Sequence, residues 1–203
     1  MHIKKNTIIF VVSLKKYGAM IRQNQVTIIL GDYVFEMKCF KIIKGHDDSL
    51  PFQGKLYVNG RHIADCVNNG WGGACDLQKV DKNRELFDKM YAYVRQFVEF
   101  TFKDTTINYT LSSLADSLAC KMADAQWLNK HQKTNLIFKK KGCDDIFISF
   151  KNPNGKKVDI TQSQLYVVNR RKIFDTIAKY EEQGYRCINT NIWNIDVPNE
   201  MSI

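Results

Sequence analysis

Hydrophobic and polar positions alternate with a period of two along the first third of the chain. Phe35, Met37 and Cys39 are interleaved with Glu36, Lys38 and, further on, Lys41, the pattern of a strand with one buried and one wetted face. Val26 to Leu30 and Tyr33 to Ile43 read as two such strands, joined by Gly31-Asp32, a pair suited to a type II′ turn. Lys44 to Gly54 carries Gly45, His46, Asp47, Asp48, Ser49 and Pro51 and reads as a loop. Lys55 to Val58 and Arg61 to Val67 then flank Asn59-Gly60, the pair that best tolerates the two positive φ angles of a type I′ hairpin. Asn68 to Gly73, two asparagines and three glycines around Trp71, read as an irregular loop with exposed backbone. At the start, Ile8 to Val12 follow Lys4 and Lys5 in the manner of a signal peptide. The apolar run stops at Lys15 and Lys16 and no small-x-small cleavage pattern follows, so a first strand is expected there.

The period then lengthens. Leu86, Met90, Val94, Phe97 and Thr101 recur every three or four residues and predict a helix from about Asp81 to Lys103. Leu111, Leu114, Leu118, Met122, Ala125 and Leu128 form a second stripe, with Thr110 or Asn108 as its cap. From Asn135 the period returns to two, with strands over Leu136 to Lys141 and Ile146 to Lys151. Asn152 to Gly155 make a further turn, with room for a short strand around Val158. Thr161 and Gln164 have the spacing of a capping box, opening a third helix that runs to Gln183 and stops at Gly184. Cys187 to Ile195 are left for a last strand or an extended tail. Strands, then helices, then strands and a helix describe an α+β fold with largely antiparallel sheet and three main helices. The chain reads as one domain over 1–203, or as two modules dividing near 104–108 or near 133.

Composition changes this picture little. The 203 residues, 44% hydrophobic and 25% charged, are those of an ordinary globular protein. The longest apolar stretch, Thr7 to Leu14, falls well short of the roughly 20 residues that cross a bilayer, so no membrane partner is expected. The net charge of +9 draws the molecule towards polyanions, but the excess is spread evenly, +5 up to Phe100 and +4 beyond it. Lysines outnumber arginines 23 to 7, whereas arginine is the residue of bidentate phosphate and guanine contacts. Six cysteines, scattered over a chain too long to need a disulfide framework, fit reduced thiols in a cytoplasmic protein.

Asn68, Asn69, Gly70, Trp71, Gly72 and Gly73 are the most unusual feature. Successive glycines let amide groups turn towards an anion, and an exposed Trp71 can stack on a base or on a partner's side chain. The competing reading is a connection that needs positive φ, with Trp71 folded back on the core. The spacing is that of neither a P-loop nor a dinucleotide fingerprint. The stretch Gly54, Leu56, Val58, Asn59, Gly60, Ile63, Ala64, Asn68, Gly70, Gly72, Gly73 resembles a pattern found in poorly characterised proteins of bacteriophages and mobile elements. The resemblance spans some twenty residues. It implies a mobile-element setting, in which small accessory proteins act on host or defence factors, and it transfers no catalytic residue.

Other constellations are weaker. His62, Cys66 and Cys75 lack the fourth ligand of a structural zinc site, and His62 and Cys66 on one strand face would stand roughly 13 Å apart. Cys75 is a candidate reactive thiol, or a small buried residue. His46, Asp47 and Asp48 are a candidate trio for metal-dependent phosphodiester cleavage, or a solvated turn. Lys139-Lys140-Lys141, Lys156-Lys157 and Arg170-Arg171-Lys172 form a phosphate track if they share a face, with Tyr166, Trp127 or Trp71 as stacking partners. No high-specificity catalytic or cofactor motif appears. The sequence therefore points to a non-enzymatic binding protein whose ligand is nucleic acid or a nucleotide, held by Lys139, Lys140, Lys141, Arg170, Arg171, Lys172 and the Trp71 loop. Inhibition of a host or defence protein and metal-dependent phosphodiester hydrolysis are the alternatives, and the oligomeric state is left open.

Overall fold

Two tight turns organise the first half of the chain, in a computed structural model that describes residues 12–13, 25–103, 105–161 and 163–192. Gly31, at φ +55°, joins strands β2 (Gln25–Leu30) and β3 (Tyr33–Ile42). Asn59 and Gly60, at φ +47° and +80°, join β4 (Phe52–Val58) to β5 (Arg61–Asn68) as the type I′ turn requires. The Asn59 side chain also ties the two hairpins together, because its Oδ1 accepts the Val34 amide at 2.8 Å. With β1 (Val12–Ser13) and β6 (Asp76–Lys79), these strands form an antiparallel sheet in the order of the sequence. Of the expected first strand, Thr7 to Val11 and Leu14 lie outside the described residues.

The sheet has one dry face. Ile28, Phe35 and Val58 lie side by side across three strands, and Phe52 lies beside Asn68. Phe35, Phe52, Leu56 and Ala64 are buried on this face, while Gln53, Lys55 and Val67 on the other are exposed. Burying each large side chain contributes about 1.5–3 kcal/mol. Two irregularities break the alternation. Cys39, at φ +52°, sits in a register shift between Lys38 and Lys41 and is exposed, so it does not join the Phe35–Met37 face as expected. In β5 an extra residue opposite Leu56 and Tyr57 leaves Ile63 and Ala64 both buried and turns His62 outward against the Tyr57 ring. His62 and the buried Cys66 therefore lie on opposite faces, which removes the shared face considered for a metal.

The dry face is covered by α1 (Arg84–Tyr93), through Phe87 and Met90, and by the first part of α2 (Leu111–Gln132), through Leu111, Leu114, Leu118 and Ala119. The helix expected to reach Lys103 ends ten residues earlier, at Tyr93. After a single turn of 3-10 helix, Val98–Phe102 (β7) pairs with Thr105–Asn108 (β8). Phe-Thr-Phe followed by Thr-Thr-Ile is β-branched and aromatic, and this local preference overrides the apparent helical spacing of Phe97 and Thr101. Asn108 belongs to β8, and Thr110 is the cap of α2: its Oγ1 accepts the Ser113 amide and Ser113 Oγ accepts the Thr110 amide, both at 3.0 Å.

The chain divides into two compact units, 1–125 and 126–203. The division falls inside α2, between the two positions at which the sequence suggested one. The second unit holds β9 (Asn135–Lys139), β10 (Ile146–Ser149), α3 (Ser163–Glu182) and β11 (Arg186–Cys187), with sheet order β10-β9-β11. Leu136 and Phe138 of β9 pack with Ile173 and Ile177 of α3. Gly184, at φ +80°, ends α3 as expected, with the Tyr185 amide donating to Tyr180 O. The expected strand at Val158 reduces to a Lys151–Lys157 bridge beside the Asn152–Gly155 turn. Beyond β11 the buried Asn189 anchors the chain, its Oδ1 accepting the Ile137 amide at 2.7 Å. The Gln164 side chain and residues 193–195 lie outside the described residues.

The described residues are thus α+β with antiparallel sheets, and no helix among them is long and apolar enough to cross a membrane. Thr110→Ala leaves the Ser113 amide without its cap and is expected to lower stability by about 1 kcal/mol, read as a lower urea midpoint with an unchanged slope.

Candidate functional site

Asn68 is the last residue of β5, and its position in the pleat points it to the dry face beside Phe52, where an apolar side chain would normally sit. Its carboxamide is fully engaged. Oδ1 accepts the Gly70 amide at 2.9 Å and the Ser49 hydroxyl at 3.1 Å, while Nδ2 donates to Gly73 O and to Asp116 Oδ1, both at 3.1 Å. Asp116 comes from α2 and uses its second oxygen to accept the Cys75 amide at 3.1 Å. The loop 69–75 is thereby held from within, at both ends, by side chains of a strand and a helix.

A second loop, 43–51, is laced to the first through the backbone. The His46 amide donates to Asn69 O at 2.9 Å, and the amides of Asp48 and Ser49 donate to Gly70 O at 3.1 and 3.2 Å. Gly70, at φ +84°, makes this approach possible, since a Cβ there would collide with the His46 backbone. Trp71 stands on this platform, 68% exposed, with its ring stacked on His46 at a centroid separation of 3.2 Å and an interplanar angle of 27°. It does not fold back on the core. Beside it lies a depression of about 100 Å³ lined by Val67, Asn69, Gly73, Ala74 and Asp76.

This geometry bears on each chemistry read from the sequence. An anion nest needs free amides, but the Gly70 amide is used by Asn68, and the Gly72 amide points to Ser49 Oγ at 3.4 Å. The depression is small beside the ~300–1,000 Å³ of sites that enclose a small molecule, and Asp76 lines it. Cys75 is buried, and its hydrogen bond to Cys66, burial and the Asp116 carboxylate raise its thiol far above the ordinary value. It is held as the protonated thiol, not the thiolate a nucleophile needs. The His46 ring is engaged by Trp71, and among the described residues no group of three or more His, Cys, Asp and Glu is arranged to hold a metal.

Of the basic clusters, all in the second unit, Lys139–Lys141 and Arg170–Lys172 are set apart. Lys139 shares the face of β9 opposite Leu136 and Phe138; it lies 5.4 Å from the Trp127 ring and 3.2 Å from Asp145. Lys140 donates to Gln183 O at 2.8 Å, just past the end of α3, where a cation is favoured. Lys141 is exposed in the following turn. Arg170, Arg171 and Lys172 are set back along α3 by roughly 17 Å from Gln183 at 1.5 Å per residue, on the side of the sheet away from Lys139. Arg171 meets Asp175 at 4.0 Å and Lys172 lies 5.9 Å from the Phe150 ring. The Tyr166 side chain is outside the described residues.

The residues that the sequence reading missed are Asp116 and Ser49. Asp116 interrupts the apolar run Leu114-Ala115-Asp116-Ser117-Leu118, and a carboxylate in a buried helical stripe calls for a partner. Its burial raises the Asp116 carboxyl above the ordinary value, against the hydrogen bonds from Asn68 and Cys75 that favour ionisation. The stability it contributes is therefore greatest where it is protonated and is lost as pH rises from the ordinary carboxylate range through the raised value. Asp116→Asn is expected to flatten that part of the stability–pH curve, measured by thermal melts. Gly70→Ala is expected to cost roughly 1–3 kcal/mol in urea unfolding, whereas Gly73→Ala, with nothing near its Cβ position, is expected to be close to neutral. Comparison of the chain with protein-family models, with curated proteins and with solved structures finds no match.

Proposed function

We propose that this chain is a non-enzymatic cytoplasmic binding protein that docks on a partner protein through the Trp71 loop. The observation that carries this reading is an indole 68% exposed yet held by His46 on two cross-tied loops. An immobilised aromatic loses little entropy on binding, and tryptophan is enriched among residues that dominate interface energies. Exposed Val67 beside it extends the apolar surface. Asp47, Asp48 and Asp76 are exposed nearby, and their charge disfavours phosphate at this loop. The resemblance of the Gly54–Gly73 stretch to bacteriophage and mobile-element proteins adds that the partner is a host or defence factor, which the chain would inhibit by occupying its surface.

A second reading, binding of nucleic acid or a nucleotide, rests on Lys139 and Lys140, which lie over the rings of Trp127 and Tyr185 at 5.4 and 5.3 Å and leave Lys141 free to meet phosphate. Salt separates the two. Phosphate contacts weaken by about one power of salt concentration each, whereas a tryptophan-centred interface is nearly indifferent.

The protein is expected to retain a defined protein partner through a high-salt wash, and Trp71→Ala to weaken that complex by at least about 2 kcal/mol, roughly thirtyfold. Copurified nucleic acid that high salt removes, with Lys139→Ala/Lys140→Ala/Lys141→Ala losing it and Trp71→Ala keeping it, would overturn the first reading in favour of the second.

A further inference from the structure

The chain places its own cations over many of its aromatic rings. Lys38 lies over Tyr57 at 4.4 Å, Arg95 over Tyr91 at 4.6 Å, Lys79 over Phe87 at 4.9 Å and Lys139 over Trp127 at 5.4 Å. Trp71 is the most exposed of the described large hydrophobic side chains, and it is treated differently. His46 covers one face of its indole, and no lysine or arginine among the described residues covers the other.

The carboxylates around this ring are equally unmatched. A Cβ on Gly72 would stand 3.4 Å from that of Asp48, Asp47 follows His46 in the chain, and Asp76 lines the depression beside the indole. All three are exposed, and none is in an ion pair among the described residues. Residues 43–51 and 69–76 hold one lysine, Lys44, and no arginine against these three aspartates, in a chain whose net charge is +9. The patch is thus opposite in sign to the molecule that carries it. The depression, of about 100 Å³, has room for the head of one side chain. An indole face attracts a cation through its quadrupole, and the neighbouring carboxylates add charge that a neutral apolar side chain cannot use. Arginine answers both features at once. Its guanidinium is planar and weakly hydrated, stacks flat on an aromatic face and keeps N–H groups free at its edge for carboxylates, whereas the lysine ammonium is compact and strongly hydrated.

We propose that the Trp71 loop receives an arginine side chain of the partner protein, stacked on the free face of the indole and paired with the carboxylates of Asp47, Asp48 and Asp76. This rests on the reading of the loop as a protein-docking site and names what the loop grips. The exposed carboxylates mainly speed association at low salt, while the stack holds the formed complex through a high-salt wash. The test follows the Trp71 indole signal of the full chain by nuclear magnetic resonance, assigned by its loss in Trp71→Phe. The probes are acetyl-Gly-Arg-Gly-amide and its counterparts with lysine, citrulline or leucine in the middle; citrulline keeps the shape of the arginine head and lacks its charge. The expected result is a saturable shift with the arginine peptide, several-fold weaker binding of the lysine peptide and none of the other two. Asp47→Asn/Asp48→Asn/Asp76→Asn, with circular dichroism and melting temperature kept, is expected to weaken arginine binding about tenfold; were that variant unfolded, the citrulline comparison on the wild type would decide alone. No saturable shift with arginine, equal binding of lysine, citrulline or leucine, or a folded triple variant that binds as the wild type does would overturn the proposal. So would an indole signal that moves with protein concentration alone, which would make the occupant a second copy of the chain. Failure of the docking reading shows separately, as a partner complex that Trp71→Ala leaves intact. A complex lost in Trp71→Ala but unmoved by the triple variant keeps that reading and sinks this one.

Discussion

The Trp71 platform depends on the burial of one carboxamide. Asn68 occupies an apolar position at the end of β5, and the cost of placing a polar group there is met because all its hydrogen-bonding groups find partners. Those partners come from a helix and from two loops, so one side chain fixes the relation of all three. Removing it would leave several buried donors and acceptors unmatched at once, which is why such networks rigidify rather than merely stabilise. The cross-tied backbone of His46 and Gly70 and the exposure of Trp71 follow from it.

The glycines of this loop can be understood in the same terms. Gly70 is needed because two backbones touch there, and its own amide is taken by Asn68. A glycine-rich loop beside a tryptophan resembles an anion cradle only while the destinations of its amide groups are unknown. With the Gly70 and Gly72 amides directed to Asn68 and Ser49, the exposed side chains that mark this loop are the indole and its carboxylate neighbours. The basic residues of the second unit are likewise distributed by packing: α3 turns Ile173 and Ile177 inward, which leaves Arg170 half-buried on the same stripe, turns Arg171 and Lys172 out to solvent and leaves Lys139 on the opposite side of β9.

Much of the architecture was legible because it is set by neighbours in sequence. Asn59-Gly60 and Gly31-Asp32 specify their turns through φ preferences alone, Thr110 caps α2 through a contact three residues away, and Gly184 ends α3. The stripe of α2 and the alternation of β3 likewise state which faces are buried. Where the reading failed, two periodicities overlapped: the spacing of Leu86 to Thr101 fits a helix, but Val98 to Ile107 is richer in β-branched and aromatic residues and folds as the β7–β8 hairpin.

The sequence by itself therefore determined the fold class, the hairpin turns and the helix ends, since these follow from backbone preferences and contacts within a few residues. Only the tertiary structure decided that Asn68 meets Asp116, 48 residues away, that Trp71 stacks on His46, and that a bulge parts His62 from Cys66. Each of these depends on register and on the approach of distant segments. A one-residue shift in a strand reverses every side chain beyond it, and nothing local in the sequence records that shift.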